Sequence, residues 1–191
     1  MARPKQELAD FVEMYSEFKI PFWFQTRFED ISEEKLESLK EVGCYRISFG
    51  LEHGNEEYRR DKLRRKMTNE FIVQQARIVE EVGIPYTLNI IIGFPYETRD
   101  LVMDSMRLCR SIGGFDSLSV NTFVPYHGTP LRDMAIKEGW LDPNRQTTSV
   151  IAESILEMPP PYLSGPEILS LQRVFPLYVK MDKSRYPEIE R

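Results

Sequence analysis

Apolar positions along the chain switch repeatedly between a spacing near 3.6 and a spacing of two. Leu8, Phe11, Val12 and Tyr15 recur at helical spacing, and an aromatic-rich, strand-like run follows from Ile20 to Thr26. Ser32 is placed to cap the next helix, with Glu33 and Glu34 in its positive first turn, Ile31 set to staple onto Leu36, and Gly43 as its stop. A second strand is predicted from Tyr45 to Leu51. Beyond a charged segment, Thr68 caps a helix whose stripe is Ile72, Ala76, Val79 and Val82, closed by Gly83. Tyr86 to Ile92 is the third strand. A helix from Thr98 then carries Val102, Met106 and Cys109 on its core face and ends at Gly113 and Gly114, and Leu118 to Val124 is the fourth strand. After Leu131 the alternation stops: a helix through Met134 and Ile136 leads to Gly139, and the Pro-rich tail from Met158 reads as a wrapping arm with one short helix near Ile168 to Val174.

Strands separated by helices imply a parallel sheet with right-handed crossovers. The fold class is therefore α/β: a partial TIM-type (βα) barrel of about four parallel strands with flanking helices and an irregular or helical C-terminal tail. The barrel part is assigned to residues 1–141 and the extension to 142–191. Eight βα units would take roughly 250 residues, so a chain of 191 supplies about half a barrel. The strand near Phe22 is then an apolar edge that invites a partner, and preceding strands are expected in a longer protein.

Strands buried on both faces are apolar throughout, yet alternate positions here place Gln25 with Arg27, Arg46 with Ser48 and Glu52, Thr87 with Asn89, and Ser119 with Asn121 on one face. Phe24, Ile47, Phe49, Leu51, Leu88, Ile90, Ile92, Leu118 and Val120 take the other. An unpartnered buried polar group costs about 1–3 kcal/mol, so the polar face is expected to line a wet or ligand-filled concavity. Arg27 and Arg46 are each candidates to pair with Glu52.

Composition narrows the function. With 41% hydrophobic and 29% charged residues the chain is globular, and its net charge of −5 argues against a general nucleic-acid footprint. Cys44 and Cys109 are the only cysteines, with no CxxC or Cys/His ligand spacing, so no metal ligands are assigned and a reducing cytoplasm is expected. No run reaches the ~20 apolar residues of a membrane span. His53 and His127 follow strand ends without ligand partners at helical or turn spacing. The run Arg59 to Lys66 has the charge to bind phosphate, against the commoner reading of such a run as a solvated face.

The sharpest signal is Leu88 to Thr98, where an apolar strand breaks at Gly93 and Pro95 just before a helix begins. Gly93 allows a backbone to approach a planar ligand, Pro95 stiffens the turn, and Glu97 and Thr98 lie where the helix exposes unpaired amides. Together with Ile47 to Gly54 upstream and Pro125 to Leu131 downstream, this resembles the later strands of radical S-adenosylmethionine (SAM) domains, closest to the subgroup that carries a cobalamin-binding domain. Further points of similarity are Gln25 to Arg27 and Arg65 to Thr68.

The resemblance implies a share of an open barrel that binds SAM and substrate on its concave face. Glu52 with Ser48 would meet the ribose and amino-acid part of SAM, Arg65 its carboxylate, and the backbone from Ile91 through Gly93 to Pro95 its adenine. Val124 and Pro125 would close the adenine site, and Arg27 and Asn89 would face the cofactor or substrate, although the family often has a small residue at the position of Asn89. The family's CxxxCxxC loop, which holds a [4Fe-4S] cluster, is absent, as is its glycine-rich methionine-binding segment. In full-length form the implied reaction is reductive cleavage of SAM to a 5'-deoxyadenosyl radical, with cobalamin as a further possible cofactor. The isolated chain is expected to be inactive and to need a missing N-terminal half of the barrel, or another domain, that supplies the cluster. The expected ligand is a small-molecule substrate, with no nucleic acid or membrane partner. Two alternatives stand beside this: a cluster-free binding or scaffold module, and a hydrolase using Glu52, His53 and Glu97 as acid and base, which no nucleophile elbow or metal motif supports.

Overall fold

A computed structural model describes residues 5–190. Its elements run α1 (Lys5–Tyr15), β1 (Phe22–Thr26), α2 (Glu33–Glu41), β2 (Cys44–Glu52), α3 (Glu56–Asp61), α4 (Asn69–Val82), β3 (Tyr86–Ile92), α5 (Arg99–Ile112), β4 (Ser117–Thr122), α6 (Pro130–Lys137), α7 (Gly165–Lys180) and α8 (Tyr186–Ile189). The four strands form one sheet in the order β1-β2-β3-β4. β1 pairs in parallel with β2, Phe24 opposite Ile47 and Gln25 opposite Ser48. This is the expected α/β architecture of parallel strands and flanking helices. The chain divides into two compact units, residues 1–51 with 67–89 and 111–119, and residues 52–66 with 90–110 and 120–191.

In the first unit, the core face is the one the alternation predicts. Ile47, Phe49 and Leu88 are fully buried, beside Leu36 of α2 and Ile72, Ala76 and Val79 of α4. Phe28 stacks on Phe49 with ring centroids 4.2 Å apart, and Tyr86 meets the same ring edge-on. Phe22 takes Phe11 and Tyr15 of α1 edge-on, which explains the aromatic richness of β1. The Ser32 and Thr68 hydroxyls cap α2 and α4 as expected, and Gly83 ends α4 at φ +76°. The opposite face corrects one expectation. Asn89 donates to Ser48 Oγ at 2.7 Å and to Phe49 O at 3.0 Å, Arg46 donates to Thr87 Oγ1 at 3.3 Å, and Thr87 and Ser117 share a hydrogen bond of 2.6 Å. Cross-strand pairing satisfies these polar groups, so they need no ligand-filled concavity to be tolerated.

In the second unit, Val102, Met106 and Cys109 of α5 are buried, together with Ile168, Leu171 and Phe175 of α7. The tail is far more helical than expected. Instead of a short helix near Ile168 to Val174, α7 spans 16 residues and continues through Pro176. Its start is fixed by Glu167, whose carboxylate accepts from Ser164 N–H at 2.8 Å and Ser164 Oγ at 2.6 Å, holding the Glu167 carboxyl below its usual range. Arg110 closes its end by donating to the Tyr178, Val179 and Met181 carbonyls. The charged segment after β2 holds a helix, α3, capped by the Asn55 side chain, which accepts from Tyr58 N–H at 2.8 Å. β4 stops at Thr122 instead of Val124: Tyr126 N–H folds back to Val124 O at 2.9 Å, and Pro125 has no N–H to continue a ladder. The chain itself covers the β4 edge, through Thr122 N–H to Val150 O at 2.6 Å and Gln172 Nε2 to Val120 O at 2.9 Å.

Burial pushes the Cys109 thiol up to about 12. Both Cys44 and Cys109 are buried. We expect neither thiol of the native protein to react with Ellman's reagent within minutes at pH 8, where a raised pKa suppresses the thiolate, and both to react in denaturant. Rapid labelling of one thiol in the native state would show that its site opens.

Candidate functional site

β2 ends at Glu52, which adopts φ +65°. A left-handed β-strand terminus is strained for a residue with a Cβ, by about 1–3 kcal/mol, and such strain gathers at functional positions. The turn aims the Glu52 carboxylate at Arg65, whose Nη2 lies 3.0 Å from Oε1 with both side chains less than one-fifth exposed. Arg65 N–H is in turn held by Arg59 O at 3.0 Å. The pair stands in a cavity of about 360 Å³ with Lys62 and Arg64 on one side and Leu63, Ile91, Phe94 and Leu131 as apolar wall. A second cavity of about 310 Å³ shares Ile91, Phe94, Thr129 and Leu131, and adds Phe123, Val124 and Tyr126. Thr122 also lines it; its hydroxyl is buried and has no hydrogen-bond partner.

The turn carrying Phe94 is held from beneath by Glu97. This fully buried carboxylate accepts from Gly93 N–H and, at 3.3 Å, from Phe94 N–H. Gly93 sits at φ +84°, where an added Cβ would lie 2.9 Å from Ile168 Cδ1. The other Glu97 oxygen is 3.0 Å from His53 Nε2, both side chains being wholly enclosed. His53 Nδ1 accepts from Asn55 N–H at 3.0 Å, which puts a proton on Nε2 toward Glu97. The Nε2 contact is a close approach outside in-line hydrogen-bond geometry. Tyr58 stacks on His53 at 4.4 Å and donates to Pro95 O at 2.6 Å, and burial beside Glu97 raises its phenol pKa. Arg59, fully buried, donates to His53 O at 2.7 Å.

Of the residues expected at the site, the second unit brings Glu52, Arg65 and Ile91 to one cavity, and Ile91 and Val124 to its neighbour. Gly93 and Pro95 form the turn above Glu97, and Pro125 O accepts from Arg132 Nη1 at 2.9 Å. Arg65 engages Glu52 directly. In the first unit Ser48 and Asn89 bond to each other, while Arg27 stands about half exposed with Glu29 at 3.7 Å. His127 is exposed. The hydrolase alternative loses its acid–base pair, because His53 and Glu97 are 0% exposed and have no route to a substrate. Sequence reasoning missed Tyr58 and the structural role of Glu97, for which the four-residue step from Gly93 to Glu97 was the available signal, and did not single out Lys62 and Arg64 within the run Arg59 to Lys66.

A family model for the radical SAM superfamily matches residues 5–109, more than half of the chain. The chain belongs to the radical SAM superfamily. An uncharacterised methyltransferase of Pyrococcus horikoshii is 25% identical over 116 residues, covering 61% of this chain and 25% of the relative. A tRNA-2-methylthio-N(6)-dimethylallyladenosine synthase of Halalkalibacterium halodurans is 33% identical over 110 residues, covering 55% and 20%. Among solved structures, the radical SAM methyltransferase TsrM of Kitasatospora setae, with cobalamin and a [4Fe-4S] cluster bound, matches 86% of this chain and 34% of its own at a TM-score of 0.57 and 20% identity, a likeness of fold. The matched stretches are a fifth to a quarter of the curated relatives' length.

Superfamily membership implies SAM and a [4Fe-4S] cluster. The chain's own residues do not fit the cluster: it needs three thiolates on a short loop, and Cys44 and Cys109 are two, far apart in sequence and both buried. Among the described residues there is also no group of three His, Cys, Asp or Glu that could hold a metal ion. Their chemistry is compatible with SAM, which asks for charged partners for its amino-acid end and an apolar slot for its base: Glu52 and Arg65 would be the residues to hold the first, and Ile91, Phe94 and Val124 the second. No helix among the described residues is long and apolar enough to cross a membrane.

Proposed function

We propose that this chain is the SAM- and substrate-binding share of a radical SAM enzyme whose cluster is ligated by another segment or polypeptide. The observation that carries the reading is the Glu52–Arg65 pair, held by a left-handed strand end inside a cavity with apolar walls. SAM, when bound beside a reduced cluster, supplies hydrogen-atom abstraction. Glu52 would accept from ribose hydroxyls or the cofactor ammonium, with Arg65 fixing its rotamer and offering its remaining N–H groups to the cofactor carboxylate. Ile91, Phe94 and Val124 would exclude water from the base. The edge of β1, which among the described residues pairs only with β2, would be the place for a strand of the cluster-bearing segment to add. The TsrM likeness makes cobalamin a candidate further cofactor, and the net charge of −5 favours a small-molecule substrate over nucleic acid.

Titration calorimetry of the purified chain with S-adenosylhomocysteine tests the reading. Saturable binding is expected, weakened at least about tenfold by Glu52→Ala through loss of a charge-assisted contact. After anaerobic incubation with iron, sulfide and reductant the chain alone should form no 5'-deoxyadenosine from SAM. Binding that is absent, or indifferent to Glu52, would favour the cluster-free scaffold module instead.

A further inference from the structure

The cavity beside Glu52 holds more positive charge than a SAM site explains. Residues 59–66 carry six cations and one aspartate in a chain of net charge −5. The structure sorts them: Arg60, Arg64 and Lys66 are exposed, whereas Arg59 is buried and Lys62 and Arg65 are half-buried. Arg59 is buried against His53 O, Arg60 pairs with Asp61 at 2.8 Å, and Arg65 neutralises Glu52. Lys62, Arg64 and Lys66 remain; Lys66 is exposed away from the cavity lining, whereas Lys62 and Arg64 line it. The Lys62 ammonium stands 4.3 Å from the centre of the Tyr96 ring, which confines a side chain that would otherwise sweep through solvent. Arg64 is held at φ +55° and has no hydrogen-bond or ion-pair partner among the described residues. The Arg64 guanidinium is exposed at the cavity, and the strain of its left-handed backbone is a cost that a bound anion would offset. Leu63 and Leu131 add apolar surface to the same cavity.

We propose that Lys62 and Arg64 seat the anionic head, carboxylate or phosphate, of a small-molecule substrate whose apolar body lies against Leu63 and Leu131, beside the wall given to the cofactor base. The proposal deepens the function given above by naming the substrate class, and it rests on that reading for the reaction but not for the binding. A guanidinium and an ammonium side by side give the bidentate and point-charge contacts that such a head group takes best. Because Arg65 already neutralises Glu52, the carboxylate does not cancel them.

The test is ligand-observed NMR and calorimetry on the full chain with phenyl phosphate, benzoate and neutral phenol. At least one of the two anions should saturate a single site at least about tenfold more tightly than phenol, and the tighter one identifies the head group. The double variant Lys62→Gln/Arg64→Gln should lose at least tenfold in anion affinity while S-adenosylhomocysteine binding stays within about twofold. Arg64→Gly, which suits the left-handed backbone, should bind the anion less well than the parent yet melt no lower. Anion binding that is unsaturable, unchanged in the double variant, or competitive with S-adenosylhomocysteine would overturn the proposal, the last by assigning the cations to the cofactor's own carboxylate. Failure of S-adenosylhomocysteine to bind, with anion binding still dependent on Lys62 and Arg64, would remove the cofactor reading and leave the anion seat standing.

Discussion

Glu97→Ala is expected to lower the stability of the protein by about 3–5 kcal/mol, from buried donors stranded at about 1–3 kcal/mol each together with the void left behind. The substitution strands two donors at once, Gly93 N–H and Phe94 N–H, and removes the close approach to His53 Nε2, in a region where Glu97 and His53 are 0% exposed. It also leaves a void where dense packing had none. Urea unfolding followed by circular dichroism reads the loss. Glu97→Gln keeps one acceptor for the turn amides and should recover most of it, which separates the hydrogen-bonding role from charge. A loss below about 1 kcal/mol for Glu97→Ala would show that the turn holds itself without the carboxylate.

Gly54→Ala should cost about 3 kcal/mol or more for a different reason, the forced displacement of backbone. A Cβ at this position would lie 2.3 Å from Ser105 Cα and 2.5 Å from Asp104 O. Neither is the end of a flexible side chain, so α5 itself would have to move. The same shift would break the 2.8 Å hydrogen bond from Gly54 N–H to Ser105 Oγ and strain that from Asn55 Nδ2 to Asp104 Oδ2, also 2.8 Å. Thermal melts beside Gly128→Ala isolate the packing effect. Gly128 has φ +76° with nothing within 4 Å of its would-be Cβ, so its cost is conformational alone, about 1 kcal/mol. Equal melting temperatures for the two variants would refute the close approach of the loop after β2 to α5.

Both residues serve the same end. Gly54 docks the loop after Glu52 onto α5, and Glu97 builds the turn that carries Phe94. The cavity that Glu52, Arg65 and Phe94 share is thus set by groups that never reach it. Their substitution should act on stability first and on ligand binding through it, whereas Glu52 and the Lys62–Arg64 pair should act on binding with little loss of fold.

The strands were legible because each is a local statement. Tyr86 to Ile92 alternates cleanly, and Ser32, Thr68 and Gly83 carry capping and stop signals that need only a few neighbouring residues. α7 was underread since Pro176 argues locally for a break, while burial of Ile168, Leu171, Phe175 and Tyr178 outweighs one lost hydrogen bond. α3 was missed because a charged segment has no apolar stripe to announce a helix.

The sequence by itself determined the α/β alternation, the buried apolar face of β2 and β3, the Gly93 turn and the candidacy of Glu52, because periodicity and backbone preference act within a few residues. Only the tertiary structure decided partners. It paired Glu52 with Arg65 across 13 positions and Asn89 with Ser48 across 41. It also enclosed His53 with Glu97, turning two residues that look like acid and base into a sealed support. Which charges meet, and which are shut away from water, depends on distances that close only when the chain packs, and no local pattern encodes them.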